Sequence, residues 1–169
     1  EGKAMAVVNT KSPGITNRDA VPSVLNNSII DRAQVRLCKD YASIANGDSI
    51  ASVIRVVSVA SNARVDAVRL SCAAITSAAA DIGVYRNTRD GAAVVDADFF
   101  GSAVSIATAL TNSDVTNEST INTIQNSVKP LWQALGFTSD PNTTFDICLT
   151  LTAAATAAGD VALSVTVAE

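Results

Sequence analysis

The stretch ADIGVYRNTRDGAAVVDADFF, residues 80–100, has the features of two β-strands joined by a turn. Apolar residues alternate with Gly and Tyr over residues 82–85, and residues 94–95 resume a β-favouring sequence. Between them, Asp90 and Gly91 form a dipeptide that accepts positive φ and favours a tight turn. The stretch therefore predicts a β-hairpin.

The acidic residues of this stretch allow a second interpretation. Carboxylates on neighbouring loops suit a hard cation such as calcium. The four candidates are Asp81, Asp90, Asp96 and Asp98. They lack the spacing of a calcium loop with its closing Glu, and the turn already accounts for Asp90. We therefore expect structural or surface roles for them and no metal ion or other cofactor.

Alternating apolar residues continue on the N-terminal side of the stretch. Residues 33–41 predict a short strand, and residues 49–75 predict two long strands separated by the ASNA turn at residues 60–63. In the second long strand Val68, Leu70, Cys72 and Ala74 share one face, whereas Arg69, Ser71 and Ala73 share the other. One face is thus expected to be buried, and the other to be solvated or covered by a partner.

The C-terminal part of the chain carries the longest alternation. Apolar side chains recur at residues 145, 147, 149 and 151, and again at residues 161, 163, 165 and 167. Gly159 and Asp160 lie between the two runs. This pattern predicts two core strands and, with a turn between them, a long antiparallel hairpin.

Two segments depart from the strand pattern. Residues 121–135 carry apolar residues at helical spacing, but Pro130 should divide them into two short pieces, the second ending at Gly136. Residues 1–31 have no sustained period and contain Pro13 and Pro22, so they predict an extended N-terminal arm.

Seven or eight strands with one short helical insertion predict an all-β fold. We expect an antiparallel β-sandwich of jelly-roll type over residues 32–169, preceded by the extended arm, residues 1–31. An immunoglobulin-like sandwich would need a Cys, Trp, Cys pattern, and Trp132 lies instead in the helical segment.

Charge and cysteine content narrow the function. The net charge is −4, with no cluster of Lys or Arg, so we expect no nucleic-acid partner. No run of apolar residues is long enough to span a membrane, so we expect no membrane partner and no secretion signal. The three cysteines are odd in number and far apart, and we expect them to be reduced and buried.

Two further groups of residues could carry chemistry. Ser49 follows Gly-Asp, as in one family of lipases and esterases, but its activation needs a histidine base and the chain contains none. A turn in which Asp48 and Ser49 bond their own backbone is the better interpretation. An anion site could be formed by Arg55, Arg64, Arg69, Arg86 and Arg89. Scattered arginines on a sheet more often pair with nearby Asp or with a partner protein. We therefore expect no enzyme, and no catalytic residue is assigned.

Several long segments resemble a family of tailed-bacteriophage virion proteins, small structural proteins of the head. The segments cover most of the chain and are ANGDSIASVIRV (45–56), SCAAITSAAADIGVYR (71–86), GAAVVDADFFGSAVSIA (91–107), KPLWQALG (129–136) and LTAAATAAGD (151–160), with VVNTKSPGITNRDA (7–20) and VLNN (24–27) in the arm. The chain is similar in character to jelly-roll cement, or decoration, proteins.

The resemblance implies a structural protein that binds the outer surface of a capsid and stabilises it. Its implied partner is the major capsid protein, and its implied location is the virion exterior after synthesis in the bacterial cytoplasm. We also expect self-association, as a homodimer or alternatively a trimer. The alternative function is a receptor- or carbohydrate-binding module of a head fibre or tail, because jelly rolls often serve as lectins.

Overall fold

The computed structural model describes residues 10–26 and 33–169, and the chain divides into two units, Glu1–Ala33 and Gln34–Glu169. The first unit contains helix α1, Pro13–Asp19. Ser12 caps it, because its Oγ accepts a hydrogen bond from the Ile15 N–H (3.3 Å).

Helix α1 departs from the extended backbone predicted for the arm. Pro13 occupies the first helical position, where its missing N–H removes no hydrogen bond and its φ is already helical. The proline that indicated extended chain therefore begins a helix. The remainder of the predicted arm at residues 1–9 and 27–31 lies outside the described residues.

The second unit is an antiparallel β-sandwich. Its described residues form eight strands: β1 Val35–Ile44, β2 Val53–Ala60, β3 Arg64–Cys72, β4 Ala79–Arg86, β5 Val94–Ser105, β6 Leu110–Asp114, β7 Thr144–Ala153 and β8 Gly159–Ala168. One sheet has the order β1-β8-β3-β6 and the other has the order β2-β7-β4-β5. These orders are those of an eight-stranded jelly roll, so the predicted fold class is confirmed.

The core lies between the two sheets. Apolar side chains from both sheets fill it, and the largest fully buried side chains include Phe99, Phe100 and Phe145. The remaining core consists mostly of Val, Ile, Leu and Ala. On β3 the buried face holds Val68, Leu70 and Cys72 as predicted, whereas Ala74 lies beyond the strand and is exposed.

The predicted C-terminal hairpin is wrong in its pairing. The eight alternating residues of β7 and β8 are all buried, as expected. However, β7 pairs with β2 and β4 in one sheet, and β8 pairs with β1 and β3 in the other. The two strands face each other across the core, because residues 154–158 cross from one sheet to the other.

The two strands predicted within residues 80–100 do pair, but the connection that joins them is longer than a tight turn. β4 and β5 are antiparallel neighbours. They are joined by residues 87–93, which include a 3₁₀ helix over Thr88–Asp90. Gly91 follows with a φ of 86°, so it supplies the positive φ that the sequence indicated.

The helical connector between β6 and β7 is confirmed. It contains a 3₁₀ helix, Ile124–Val128, and one turn of α-helix, α2 Leu131–Ala134. Pro130 separates the two pieces, and Gly136 ends the second with a φ of 81°. Leu131 is buried against the core, which anchors the connector to the sandwich.

Candidate interaction surfaces

Ser49 lies in the exposed turn between β1 and β2. The Ala45 N–H donates to Asp48 Oδ2 (2.9 Å), and the Ser52 N–H donates to the Ser49 carbonyl (3.2 Å). These are the local bonds expected of a turn. Ser49 therefore has a structural explanation, and the chain has no histidine that could activate it.

Three of the four aspartates in residues 80–100 have separate structural roles. Asp81 accepts from the Ala103 N–H (2.7 Å) and holds an irregular part of β5 against β4. Asp90 accepts from Asn87 Nδ2 (3.0 Å), and Asp96 accepts from the Asp98 N–H (3.3 Å). Partial burial raises the pKa of Asp96. Within residues 10–26 and 33–169, no three acidic, Cys or His side chains converge as metal ligands.

Four of the five arginines are distributed over both sheets, and Arg89 lies in the 3₁₀ helix between β4 and β5. Arg55 on β2 forms an ion pair with Asp146 (2.7 Å) and also donates to the carbonyls of Arg86 and Ala92. Arg64 and Arg69 lie on β3, in the opposite sheet. The crossing of the chain between β2 and β3 thus prevents these arginines from forming one anion site. The Arg55–Asp146 pair agrees with the expectation that arginines pair with nearby Asp.

The cysteines are all free. Cys72 and Cys148 are buried, whereas Cys38 on β1 is only half-buried, which corrects the expectation that all three are buried. Burial raises the pKa of the Cys148 thiol to about 12. Cys38 differs because it lies on an edge strand.

A polar cleft of about 470 Å³ lies at one end of the sandwich. Its lining residues are Ala60, Ser61, Asn62, Asn87, Thr88, Arg89, Asp90, Asn142, Thr143, Thr144 and Asp146. Several of these side chains bond one another. Asn87 Nδ2 lies 3.0 Å from Thr143 Oγ1, which in turn donates to Asp90. These bonds fasten the β4–β5 connection to the start of β7.

The first apolar surface is a row of side chains on β1. Val35, Leu37 and Tyr41 are 71%, 65% and 68% exposed, respectively. Their spacing places them, with Lys39, on the outer face of the sheet. We call these four residues the β1 row. The alternation in the sequence correctly predicts a strand here. Because this strand has apolar residues on both faces, however, alternation alone does not show which face points inward.

The second apolar surface lies on the helical connector. Ile121, Ile124 and Val128 are exposed, with Ile124 at 84%. We call these three residues the connector patch. The helical spacing of the sequence suggested a buried face, but Pro130 shortens the helices, and the apolar residues of the connector that pack against the core, among them Leu131 and Trp132, lie at its α2 end. The patch is therefore left in solvent.

Helices in the described ranges are too short and too polar to cross a membrane.

Comparisons with known proteins give little further information. No protein-family model matches the chain, and no curated protein matches it. A chain in the solved capsid asymmetric unit of cyanophage Pam1 aligns with 98% of this chain and 94% of its own length, at 14% identity and a TM-score of 0.49. A superposition at that score is too loose to assign a fold. The jelly-roll assignment therefore rests on the strand pairing described above.

Proposed function

We propose that this protein is a structural component of a tailed-phage virion that binds the outer surface of the capsid and stabilises it. The proposal starts from the sequence segments that resemble head proteins of tailed phages. Its partner would be the major capsid protein, and its location the exterior of the head.

The observation that carries the proposal is the pair of exposed apolar surfaces, the β1 row and the connector patch. Single exposed apolar side chains are normal, but contiguous groups mark sites of contact with other proteins. The β1 row and the connector patch each place three large apolar side chains in solvent. A protein with two such surfaces can contact two neighbours at once, as a cement protein must.

The positions of the polar residues support a structural role rather than catalysis. Ser49 lies in a turn without a base, and Asp81, Asp90 and Arg55 are each held by bonds that organise the backbone. None of these groups is arranged as a nucleophile with its base.

We assign capsid attachment to the connector patch. Ile124 and Val128 can be desolvated without disturbing the sandwich, because they lie on a connection outside both sheets. The arm, residues 1–31, would act as a second point of attachment. Two weak contacts on one molecule give strong retention, since the first raises the effective concentration of the second.

The direct test uses capsids that lack the protein. Purified wild-type protein should bind to them, saturate at hundreds of copies per particle, and raise the temperature at which the particles release DNA. The double variant Ile124→Asp/Val128→Asp should bind at least about ten-fold more weakly, since it removes the desolvated anchors of the contact. An Ile50→Asp variant, which changes an exposed residue in the β1–β2 turn, outside both the patch and the arm, is the matched control.

Two results would refute the proposal. One is a wild-type protein that does not bind the capsids. The other is a copy number of only a few per particle, which would favour a tail or fibre component.

The polar cleft favours one alternative, a carbohydrate-binding module. Its Asn, Thr, Arg and Asp side chains are those that bond sugar hydroxyls. However, no aromatic residue lines the cleft, and Asn87, Asp90 and Thr143 already bond one another. Binding of the protein to a glycan array, abolished by Asn62→Ala and Arg89→Ala, would favour this alternative over capsid cement.

A further inference from the structure

We propose that two copies of this chain associate through their β1 strands, which pair antiparallel about a two-fold axis at Cys38. This inference deepens the proposed virion role and rests on it for the biological use of the dimer. The association itself is a property of the isolated protein and is argued from the geometry of β1.

The outer edge of β1 is available for pairing. β1 ends its sheet and has β8 on one side; on its other side the described residues place no strand. Gln34 and Glu169 exchange both backbone hydrogen bonds (3.0 Å each), and the register continues without interruption along β1. Residues 36, 38, 40 and 42 therefore bond β8, and the N–H and C=O groups of residues 35, 37, 39 and 41 point to the free edge.

The edge also has the character of an interface. β1 is ten residues long, contains no proline, and carries the exposed apolar side chains of the β1 row beside its unpaired backbone groups. An exposed edge of this kind is a template for another strand. One of the outward-pointing groups is already bonded within the chain: the Tyr41 N–H donates to Asp40 Oδ1 (2.8 Å).

Charge disfavours two registers of this strand pair. In an antiparallel pair about a two-fold axis, opposite residues lie on the same face, so the axis passes through one residue and its copy. An axis at Lys39 would place two lysines side by side, and an axis at Asp40 would place two aspartates side by side. Like charges directly opposite each other destabilise a pair of strands.

An axis at Cys38 gives complementary charges. It places Arg36 opposite the partner's Asp40, and the symmetry forms this ion pair twice. In the described part of the chain no cation lies within ion-pair distance of Asp40, whereas Arg36 binds Glu169 (2.6 Å). The guanidinium has five N–H donors and can bind both carboxylates. Asp40 would exchange its bond to the Tyr41 N–H for the arginine, and that N–H would bond the partner's Val35 carbonyl.

The same register pairs the apolar side chains on the outer face. Val35 lies opposite the partner's Tyr41, and Leu37 lies opposite the aliphatic stem of the partner's Lys39. On the inner face, a groove of about 260 Å³ beside β1 and β2 leaves room for side chains of the second copy. Its lining residues are Cys38, Lys39, Asp40, Val56, Val57 and Ser58.

This geometry provides a chemical test. Cys38 would form a non-hydrogen-bonded pair with its copy, for which the Cα atoms are about 4.5 Å apart. Disulfides form at Cα separations of about 4.4 to 6.8 Å. Diamide, which accepts the two electrons and two protons that the thiols lose, should therefore link two chains through Cys38.

In the experiment, the full-length protein is treated with diamide and run on a non-reducing gel. A covalent dimer should form in the wild type, in Cys72→Ser and in Cys148→Ser, and should be absent in Cys38→Ser. A cross-link that persists in Cys38→Ser, or the absence of any cross-link in the wild type, would overturn the proposal.

A charge exchange tests the register independently. By light scattering, the wild type should be dimeric at micromolar concentration, and Asp40→Arg should weaken the dimer by about ten-fold or more, because it creates two Arg–Arg contacts. The double variant Arg36→Asp/Asp40→Arg should restore dimerisation. Glu169→Gln, which removes only the intramolecular ion pair, is the control and should remain dimeric.

Three results would overturn the β1 dimer: a monomeric wild type, a trimer, or an Asp40→Arg protein that dimerises normally while its circular dichroism is unchanged. The capsid-binding test answers a separate question. A monomeric wild type that still binds capsids would refute the β1 dimer alone, and a dimer that does not bind capsids would refute the virion role alone.

Discussion

At the scale of single residues, Gly83 shows how one position sets the path of a neighbouring strand. A Cβ at Gly83 would lie 2.1 Å from the Ala97 carbonyl oxygen, far inside contact distance. At this point the pairing of β4 with β5 shifts, from Val84 opposite Asp96 to Ile82 opposite Gly101. The extra residues of β5 bulge across Gly83 and bring Phe99 and Phe100 into the core.

Gly83→Ala should therefore be strongly destabilising. The methyl group would displace the backbone of β5, and we expect a loss of about 3 kcal/mol or more in the free energy of unfolding. Gly91→Ala is the matched control: it has open space and a φ of 86°, so only the left-handed penalty of about 1 kcal/mol applies. Urea denaturation measures both, and equal losses would show that β5 yields to the methyl group.

Cys148 predicts a dependence of stability on alkaline pH. Burial raises the pKa of this thiol from 9.0 to about 12, so the folded state retains a proton that the unfolded state loses. The contribution of Cys148 is fully present below pH 9 and is lost as the pH rises toward 12. Urea denaturation across this range should give a steeper loss for the wild type than for Cys148→Ala. Parallel curves would contradict the predicted shift.

At the scale of elements, β7 and β8 show which property of a strand is determined by its local sequence. Alternation placed Phe145 and Leu149 of β7 and Val161 and Leu163 of β8 on inward faces, and all four are buried. The strand with which each of them pairs, however, could not be predicted from the local sequence. A strand with one apolar face can satisfy its backbone against any neighbour, and the five residues between β7 and β8 are enough to change sheets.

Leu163→Ala tests the burial of β8. Leu163 is 0% exposed, so truncation should leave a cavity and cost about 2 to 5 kcal/mol in unfolding free energy. Ser164→Ala, on the opposite face of the same strand, should change stability by less than about 0.5 kcal/mol. A loss below that value for Leu163→Ala would place β8 at the surface.

At the scale of the whole molecule, the jelly roll places two unlike surfaces in different parts of the sandwich unit. The β1 row lies at the edge of one sheet, and the connector patch lies on the excursion between β6 and β7. Neither surface uses a residue of the core. The proposed capsid attachment and the proposed self-association can therefore be tested separately, by variants that leave the core unchanged.

Removal of residues 1–31 tests the role of the arm. The truncated protein should melt close to the wild-type temperature, because the described core residues all lie beyond residue 33. Its retention on capsids should fall by about ten-fold or more, since one of two linked contacts is lost. Equal retention would show that the arm is no tether, and an unfolded truncated protein would show that it belongs to the core.

The sequence by itself determined the fold class, the inward faces of most strands, the division of the connector at Pro130 and the positive φ at Gly91. Each of these follows from a local pattern of residue types, which the order of residues specifies directly. The same kind of local pattern gave a wrong prediction at Pro13, which begins a helix and not an extended segment.

Only the tertiary structure decided which strands pair, which apolar side chains stay in solvent and which charged groups meet. β7 and β8 lie in different sheets, Arg55 finds Asp146 from a distant strand, and Ile124 is exposed although its spacing matched a buried face. The physical reason is that burial and pairing depend on residues far apart in the chain. Their positions follow from the way two sheets close over one core, which no local pattern contains.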